Sequence, residues 1–161
     1  MTAEWEFRDL APGDAGWVAA RHGALYWRDE GYDHPFEALV LRLLADFLER
    51  RDPARERAWI ATRDSVRQGC VFCTRPTEDA AKLRMFLVEP EARGTGLAAE
   101  LMRRCLDFAR ETGAAKLTLW THESHRAAGR LYVRTGFRLV ASEPVEAFGQ
   151  PTVEQVWEID L

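Results

Sequence analysis

The sequence has very little lysine and no excess of positive charge. Only Lys82 and Lys116 are lysines among 161 residues, and 26 acidic residues outnumber 22 basic ones, which gives a formal net charge of −4 at pH 7. General nucleic-acid-binding proteins usually present a strongly basic face. The charge balance therefore predicts no nucleic-acid partner, although a local basic pocket is compatible with it.

Long apolar runs are absent as well. No stretch approaches the roughly 20 apolar residues that a helix needs to cross a bilayer. The segment Met1–Glu6 has neither the basic start nor the apolar core of a signal peptide. We therefore expect a cytoplasmic protein that does not contact a membrane.

Cysteine is scarce, and its count of three is odd, which argues against a disulfide framework. Cys70 and Cys73 have the C-x-x-C spacing of a metal or redox site. They lie in a strand-like run, however, where residues three apart point to opposite faces. Because no second cysteine pair exists to complete a zinc site, we expect buried thiols and no metal.

The remaining composition is that of a folded chain, with 47% hydrophobic residues, six Trp and eight Phe. The length fits one domain over residues 1–161.

Asp14 is placed to cap a first helix, and Pro35 favours the start of a second one. Ser124 is placed to cap the last helix. The predicted helices cover about 15–28, 35–48, 96–112 and 125–135, and the predicted strands cover 4–8, 58–62, 70–74, 83–88, 116–121, 137–147 and 152–160. This order predicts a mixed sheet with helices on its faces.

A glycine-rich turn lies between the predicted strand 83–88 and the helix that follows it. N–H groups at a helix start, together with the positive end of the helix dipole, attract anionic oxygens. Gly94 and Gly96 let a phosphate approach the backbone closely, and Arg93 adds a positive charge. The segment 93–99 therefore predicts a pyrophosphate site.

The turn has three other interpretations. Gly94-x-Gly96-x-x-Ala99 also fits a loose dinucleotide fingerprint, but there the first glycine should follow its strand almost directly. About five residues intervene here, and too little chain follows for a nucleotide-binding domain. A P-loop needs Gly-Lys-Ser/Thr, which the turn lacks. The third alternative, glycines that only permit packing, stays open for this motif alone.

A second motif lies one strand downstream. On the predicted helix His125 and Tyr132 are seven residues apart and share a face, with the small residues Ala128 and Gly129 between them. That face could accommodate a slender ligand arm with two polar side chains beside it.

Together the two motifs resemble the GNAT acetyltransferase family. Arg93-x-x-Gly96-x-Ala98 matches its R/Q-x-x-G-x-G/A signature, and Ala128-x-x-Leu131-Tyr132-x-x-x-Gly136-Phe137 matches its second motif. The resemblance implies a central mixed, mostly antiparallel twisted sheet of about seven strands with about four helices on its faces. It also implies acetyl-CoA as co-substrate and direct transfer of the acetyl group to a primary amine in a ternary complex.

A closer likeness covers about Arg21 to Leu161, which is similar to the acetyltransferase half of proteins that fuse a MarR-type DNA-binding domain to a GNAT domain. No winged-helix half is recognised in this sequence, so that role is not carried over. Relatives are often homodimers, so the resemblance also favours a homodimer.

The resemblance assigns roles to particular residues. Tyr132 is expected to be the general acid toward the departing thiolate and to contact the cofactor, and His125 is expected to hydrogen-bond it. The backbone of the strand should bind the pantetheine amides and the turn should bind the pyrophosphate. The residues expected to bind cofactor in this way are Phe86, Leu87, Val88, Arg93, Gly94, Thr95, Gly96, Leu97, Ala98 and Ala99.

The general base is left open, because Trp120 stands where many relatives have Glu. The candidates are Glu123, His122, Glu30, Asp33 and a water chain. Without that Glu, a catalytically weak acyl-CoA-binding regulatory module is the alternative to an enzyme.

The acceptor is expected at the junction of the first two helices, where Tyr26, Glu30 and Asp33 could bind a cationic amine. Ordinary amphipathic packing of this aromatic and acidic cluster is the alternative interpretation.

Overall fold

The computed structural model describes residues 4–161; Met1, Thr2 and Ala3, part of the N-terminal stretch weighed above, lie outside the described residues. The helices are α1 (Asp14–Glu30), α2 (His34–Arg50), α3 (Leu97–Glu111) and α4 (Arg126–Thr135). The strands are β1 (Glu6–Arg8), β2 (Arg57–Arg63), β3 (Val66–Thr74), β4 (Ala80–Val88), β5 (Lys116–His122), β6 (Arg138–Ala147) and β7 (Gln150–Asp160).

All seven strands form one sheet in the order β1-β2-β3-β4-β5-β7-β6. Only β4 and β5 run parallel, and every other neighbouring pair is antiparallel. The parallel pair is joined through α3, as a parallel connection requires. The predicted mixed, mostly antiparallel sheet with four helices is confirmed.

The sheet separates two hydrophobic cores, because successive strand residues point to opposite faces. Ile60, Cys70 and Phe72 pack against α1 and α2. Trp59 and Cys73 pack on the other face, in the core that α3 and α4 cover. The prediction that Cys70 and Cys73 lie on opposite faces is confirmed, and all three cysteines are free and buried.

The prediction that Asp14 caps α1 is wrong. Gly13 is the N-cap, and Asp14 is the first helical residue. Its buried carboxylate instead binds the guanidinium groups of Arg8 and Arg67 and accepts a 2.6 Å bond from the Ala11 N–H. Burial tends to raise the pKa of Asp14, but these donors, Arg8 first, lower it to about 2. Tertiary ion pairs have taken the place of a local cap.

The prediction that Ser124 caps α4 is also wrong, since His125 occupies the N-cap position and no side chain caps the helix. The chain leaves β5 through a turn that closes with its own backbone bonds, from the His125 N–H to the His122 carbonyl and from the Arg126 N–H to the Ser124 carbonyl. The helix therefore begins one residue later than predicted, and His125 lies at its first turn.

The sheet opens between β4 and β5. Their pairing runs only from Ala80 opposite Lys116 to Leu83 opposite Leu119. On the other side of β4, Phe72 opposes Arg84 but Cys70 opposes Leu87, so β4 carries one extra residue there. Such a bulge bends a strand, and Met85 within it has φ 49°. Beyond the bulge β4 diverges from β5 and leaves a wedge open to a ligand.

Candidate active site

A cavity of about 420 Å³ lies at this wedge. Residues of β4 and β5 form its floor, α1 and α2 cover it, and α4 closes one end. Its volume falls in the range typical of small-molecule sites. The lining residues that bear on the chemistry are His22, Tyr26, Lys82, Arg84, Phe86, Trp120, Thr121, His122, His125 and Tyr132.

The predicted anion-binding turn lies at the N-terminus of α3. Gly94 and Gly96 have φ of 74° and 88°, values that L side chains rarely adopt. The first intrahelical bond runs from the Glu100 N–H to the Gly96 carbonyl at 3.1 Å. The N–H groups before Glu100 therefore point out of the helix end. A Cβ on either glycine would meet no atom within 4 Å, so the interpretation that these glycines only permit packing is disfavoured.

Arg93 lies beside these amides with a half-exposed guanidinium that pairs with Asp29 at 3.3 Å. A surface pair of this kind contributes little stability, so a phosphate could displace Asp29 at small cost. The positive charge that the sequence predicts beside the turn, the Arg93 guanidinium, therefore lies there.

An ion pair that the sequence analysis missed fixes this turn to α1. Arg21 donates two hydrogen bonds, of 2.6 and 2.8 Å, to the buried carboxylate of Glu89. The Glu89 N–H in turn donates to the Gln68 carbonyl at 2.8 Å. Arg21 and Glu89 are 68 positions apart, so no local pattern could have revealed the pair.

The strand before the turn presents backbone groups to the wedge. Because the Glu89 N–H points to β3 and amides alternate in direction along a strand, those of Phe86 and Val88 point toward the opening. Leu87 turns its backbone toward β3 and its side chain into the core under α1 and α2. Of the three strand residues predicted to bind cofactor, Phe86 and Val88 have the suitable direction.

Tyr132 reaches the cavity from α4 together with Ala128 and His125, as the shared helical face predicted. Its ring is buried against Phe137 and Trp157. Burial raises the pKa of Tyr132 above its ordinary value, and the Thr121 side chain opposes this only in part. The phenol therefore keeps its proton at neutral pH, as a proton donor must.

Three histidines surround the cavity. Burial lowers the pKa of His22, His122 and His125 to about 4 each, so all three are neutral at pH 7. His122 packs edge-on against Trp120, with ring centroids 4.7 Å apart, and its Nε2 has no hydrogen-bond partner among the described residues. His22 was missed, although its spacing of four from Val18 placed it on the apolar face of α1.

His125 faces protein groups with both ring nitrogens. Its Nδ1 lies 3.3 Å from the Thr121 hydroxyl, and its Nε2 lies 3.4 Å from a Glu30 carboxylate oxygen. The cofactor contact expected of His125 stays a prediction.

The structure separates the candidate bases. Only His122 lines the main cavity. Glu30 and Glu123 line a smaller one, of about 320 Å³, between the end of α1 and β7. Asp33 lies outside both linings, and its carboxylate caps α2 by accepting a 2.7 Å bond from the His34 N–H.

The residues predicted to bind the acceptor are therefore divided. Tyr26 contributes its ring to the main cavity, but neither acid does. The hairpin between β6 and β7 completes this end: the Asp33 N–H donates to the Phe148 carbonyl at 3.0 Å, and the Phe148 ring packs on Phe36 and Tyr32. The hairpin therefore packs against the junction of α1 and α2.

Within residues 4–161 no three His, Cys, Asp or Glu side chains are grouped so that they could hold a metal ion. In the same part of the chain no helix combines the length and apolar character needed to cross a membrane.

Comparison with known proteins supports the two motifs. Residues 17–137 match the family model described as the acetyltransferase (GNAT) family. An uncharacterised N-acetyltransferase of Mycobacterium bovis is 30% identical over 95 residues, which are 59% of this chain and 61% of that protein, and one of Mycobacterium tuberculosis gives the same figures. The chain thus matches about three fifths of the length of these relatives.

Solved structures share the whole fold. A GCN5-related N-acetyltransferase of Kribbella flavida superimposes with a TM-score of 0.78 over 98% of both chains at 22% identity. A candidate acetyltransferase of Salmonella typhimurium, solved with its cofactor acetyl-CoA, has a TM-score of 0.74 and 20% identity and covers 98% of this chain and 94% of that one.

Proposed function

Since this chain belongs to the acetyltransferase (GNAT) family, we propose that it transfers the acetyl group of acetyl-CoA to a primary amine by direct attack in a ternary complex. The observation that carries this proposal is the open wedge between β4 and β5. The wedge begins where the pairing of β4 with β5 stops at Leu83, and Tyr132 lines the cavity there. Beyond the wedge, β4 leads directly into the glycine-rich turn before α3.

The cofactor is held by the backbone more than by side chains. The pyrophosphate binds the N–H groups of Gly94–Ala99, assisted by Arg93 and by the helix dipole. The pantetheine amides bind the unpaired groups of Phe86 and Val88, since backbone donors and acceptors must be satisfied. This arm directs the thioester toward the cavity.

The acceptor enters from the side of α1 and α2 and meets the thioester at the wedge. Its nitrogen attacks the thioester carbonyl carbon, and an N–H of the diverging part of β4 stabilises the oxyanion. When the C–S bond breaks, the Tyr132 phenol gives its proton to the sulfur.

The proton lost by the amine goes to His122. This histidine lines the cavity and is neutral at pH 7. Its Nε2 has no hydrogen-bond partner among the described residues. Among the predicted bases it is the one that a bound acceptor could contact directly. Glu30 lies outside this cavity, and the His125 Nε2, although 3.4 Å from its carboxylate, makes no hydrogen bond to it.

Binding and turnover are tested separately. Acetyl-CoA at about 100 times its dissociation constant should add roughly 2.7 kcal/mol to the free energy of unfolding, which thermal unfolding measures. A broad panel of amines should then release CoA thiol, followed with a thiol reagent. A folded sample that millimolar acetyl-CoA does not stabilise would disprove the proposal.

The second candidate is a catalytically weak acyl-CoA-binding module, which Trp120 in place of the usual Glu favours. It predicts stabilisation by acetyl-CoA without thiol release from any amine. The likeness to MarR-fused acetyltransferases and the homodimer stay predictions.

A further inference from the structure

Two positive charges form part of the cavity wall on β4. Lys82 and Arg84 alternate with Leu83 and so point to the α1–α2 face, whereas Leu83 packs in the opposite core. Both side chains are half-buried, facing α2 residues such as Val40 and Leu43. Within the described part of the chain, residues 4–161, neither side chain makes a hydrogen bond or an ion pair.

Among the residues that the structure describes, no acidic side chain lines this cavity to balance them. Its three histidines are neutral at pH 7, so Lys82 and Arg84 set its charge. Burial lowers the pKa of both groups, and Asp46 raises that of Arg84 only in part. Asp46 lies on the exposed side of α2, where it pairs with Arg50 at 3.4 Å.

Unpaired, partly buried cations are costly, because they lose water without gaining a partner. Lys and Arg side chains normally extend to solvent when they can. At Lys82 and Arg84 they stay in the wall of a cavity with room for a ligand. The missing partner is therefore supplied by what binds there.

We propose that the acceptor amine carries an anionic group, in the first place a carboxylate, which Lys82 and Arg84 bind while the amine reaches the thioester. This rests on the proposed acetyl transfer and names its acceptor class. It reverses the charge expected from the sequence, because Glu30 and Asp33 lie outside the cavity and two cations lie inside it.

Distance and wall chemistry narrow the class further. At about 3.3 Å per strand residue, Arg84 lies roughly 7 Å or less from Phe86, where the thioester is expected, and Lys82 lies roughly 13 Å away. A carboxylate only a few bonds from the amine thus meets Arg84 first. Phe36 and Leu39 of α2 give the covering side of the cavity apolar side chains, and Trp120 adds another on β5. An α-amino acid with an apolar side chain fits both features.

The two cations also favour the reactive form of the amine. Like charges disfavour protonation of a neighbouring ammonium group. An amino acid held by its carboxylate would therefore lose its ammonium proton more readily here than in water, which prepares the nitrogen for attack.

Matched acceptors test the carboxylate. L-Phenylalanine, L-leucine and L-methionine are compared with their amides, in which only the carboxylate is neutralised, and with the corresponding decarboxylated amines. Because a hydrogen bond to a charged group contributes about 1.5–3 kcal/mol, kcat/KM should be roughly 10- to 100-fold higher for the acids. The amides have less basic amines that deprotonate more easily, so intrinsic reactivity works against the expected result.

Variants test the two cations. Arg84→Gln and Lys82→Gln should each raise KM for the amino acid and reduce the acid-to-amide ratio of kcat/KM by about tenfold. Arg42→Gln, which removes an exposed arginine from α2, should leave that ratio unchanged. Stabilisation by acetyl-CoA, measured on every variant, shows that the fold and the cofactor site persist.

The outcomes are distinct. A preference for the acids or for their α-aminophosphonate analogues, lost in Arg84→Gln, supports the anion site, and the better of the two series names the anion. Amides and acids acetylated equally, or no acid acetylated while acetyl-CoA still stabilises the protein, overturn this inference alone. No stabilisation by acetyl-CoA overturns the proposed function and this inference together.

Discussion

Tyr132 combines three properties that a general acid toward a thiolate needs. It lies at the end of the wedge, its ring is fixed by Phe137 and Trp157, and burial raises its pKa so that the proton stays on the phenol. The sequence alone identifies Tyr132 as the candidate acid, through its motif. Its position in the cavity and its raised pKa depend on tertiary burial.

Tyr132→Phe removes the proton donor and keeps the ring. Because general acid catalysis contributes about 10²- to 10⁴-fold, kcat should fall by about 100-fold or more. The Kd for acetyl-CoA should change by less than about threefold, since the backbone holds most of the cofactor. Thiol release under saturating acetyl-CoA measures kcat, and the thermal shift with increasing acetyl-CoA measures the Kd. Full activity in the variant would exclude Tyr132 as the acid.

The three cavity histidines predict a pH dependence of stability. Each has a folded-state pKa of about 4, which burial lowers from an unfolded value of about 6.5. Between these values the unfolded chain binds protons that the native protein does not. Stability therefore rises with pH across this window and is lost as pH falls from 6.5 toward 4.

The loss between pH 7 and 4.5 should be about 2.4 kcal/mol for each histidine, and so on the order of 7 kcal/mol for the three, measured by urea unfolding at both values. His22→Gln should make the dependence shallower, because one buried imidazole is gone. His34→Gln, which removes an imidazole exposed to solvent on α2, serves as the control. An unchanged free energy of unfolding between the two pH values would contradict the burial of these rings.

At the scale of elements, the proposed path of the cofactor depends on the turn and the bulge. The bulge at Met85 turns β4 away from β5, and the glycine turn directs the N-terminus of α3 at the same opening. Cofactor binding as proposed needs both features. A pyrophosphate site without the wedge would leave the pantetheine no route to the cavity.

Gly96→Ala tests the turn. At φ 88° a Cβ is strained whatever the space around it, so stability should fall by about 1–2 kcal/mol. Affinity for acetyl-CoA should fall as well, because the added methyl group occupies the space left for phosphate. Thermal unfolding with and without acetyl-CoA measures both effects.

Gly16→Ala is the matched control. Gly16 lies in α1 with no atom within 4 Å of its would-be Cβ and without a positive φ. The substitution should stabilise the protein by up to about 1 kcal/mol, as expected for an exposed helix, and leave acetyl-CoA binding unchanged. Equal behaviour of the two alanine variants would mean that the turn conformation is not required.

At the scale of the molecule, β6 is the outer strand of the sheet. Residues 138–144 are exposed along it, and Leu139 and Val140 are each 45% accessible. An unprotected edge strand is a template for pairing with another chain. Pro144 interrupts it, which limits pairing to the part before it.

If the chain forms the predicted homodimer, this edge is the surface that we expect to be covered. Light scattering at micromolar concentration should then give twice the 18.4 kDa chain mass, and Val140→Lys should give the monomer. Leu48→Lys, on the exposed side of α2, should leave the dimer intact. A monomeric wild-type protein would contradict the prediction.

The sequence by itself determined the order of elements and the cofactor segment, because both depend on local chemistry. Apolar periodicity marks helices and strands, and the glycines of the turn before α3, together with Arg93 and the second motif, indicate the anion site. The residue ranges agree to within a few positions. The exceptions were Asp14 and Ser124, whose capping roles depended on groups elsewhere in the chain.

Only the tertiary structure shows which side chains line the cavity where the acceptor is proposed to bind. Arg21 pairs with Glu89, and His22, His122 and His125 line the same cavity although they lie far apart in sequence. The cations of β4 line that cavity together with apolar residues of α2. A linear pattern shows which groups a chain has, but their distances, burial and protonation are set only when strands and helices pack. For that reason the sequence points to the acidic residues Glu30 and Asp33 for the acceptor, whereas in the folded protein Lys82 and Arg84 line the main cavity and those acids do not.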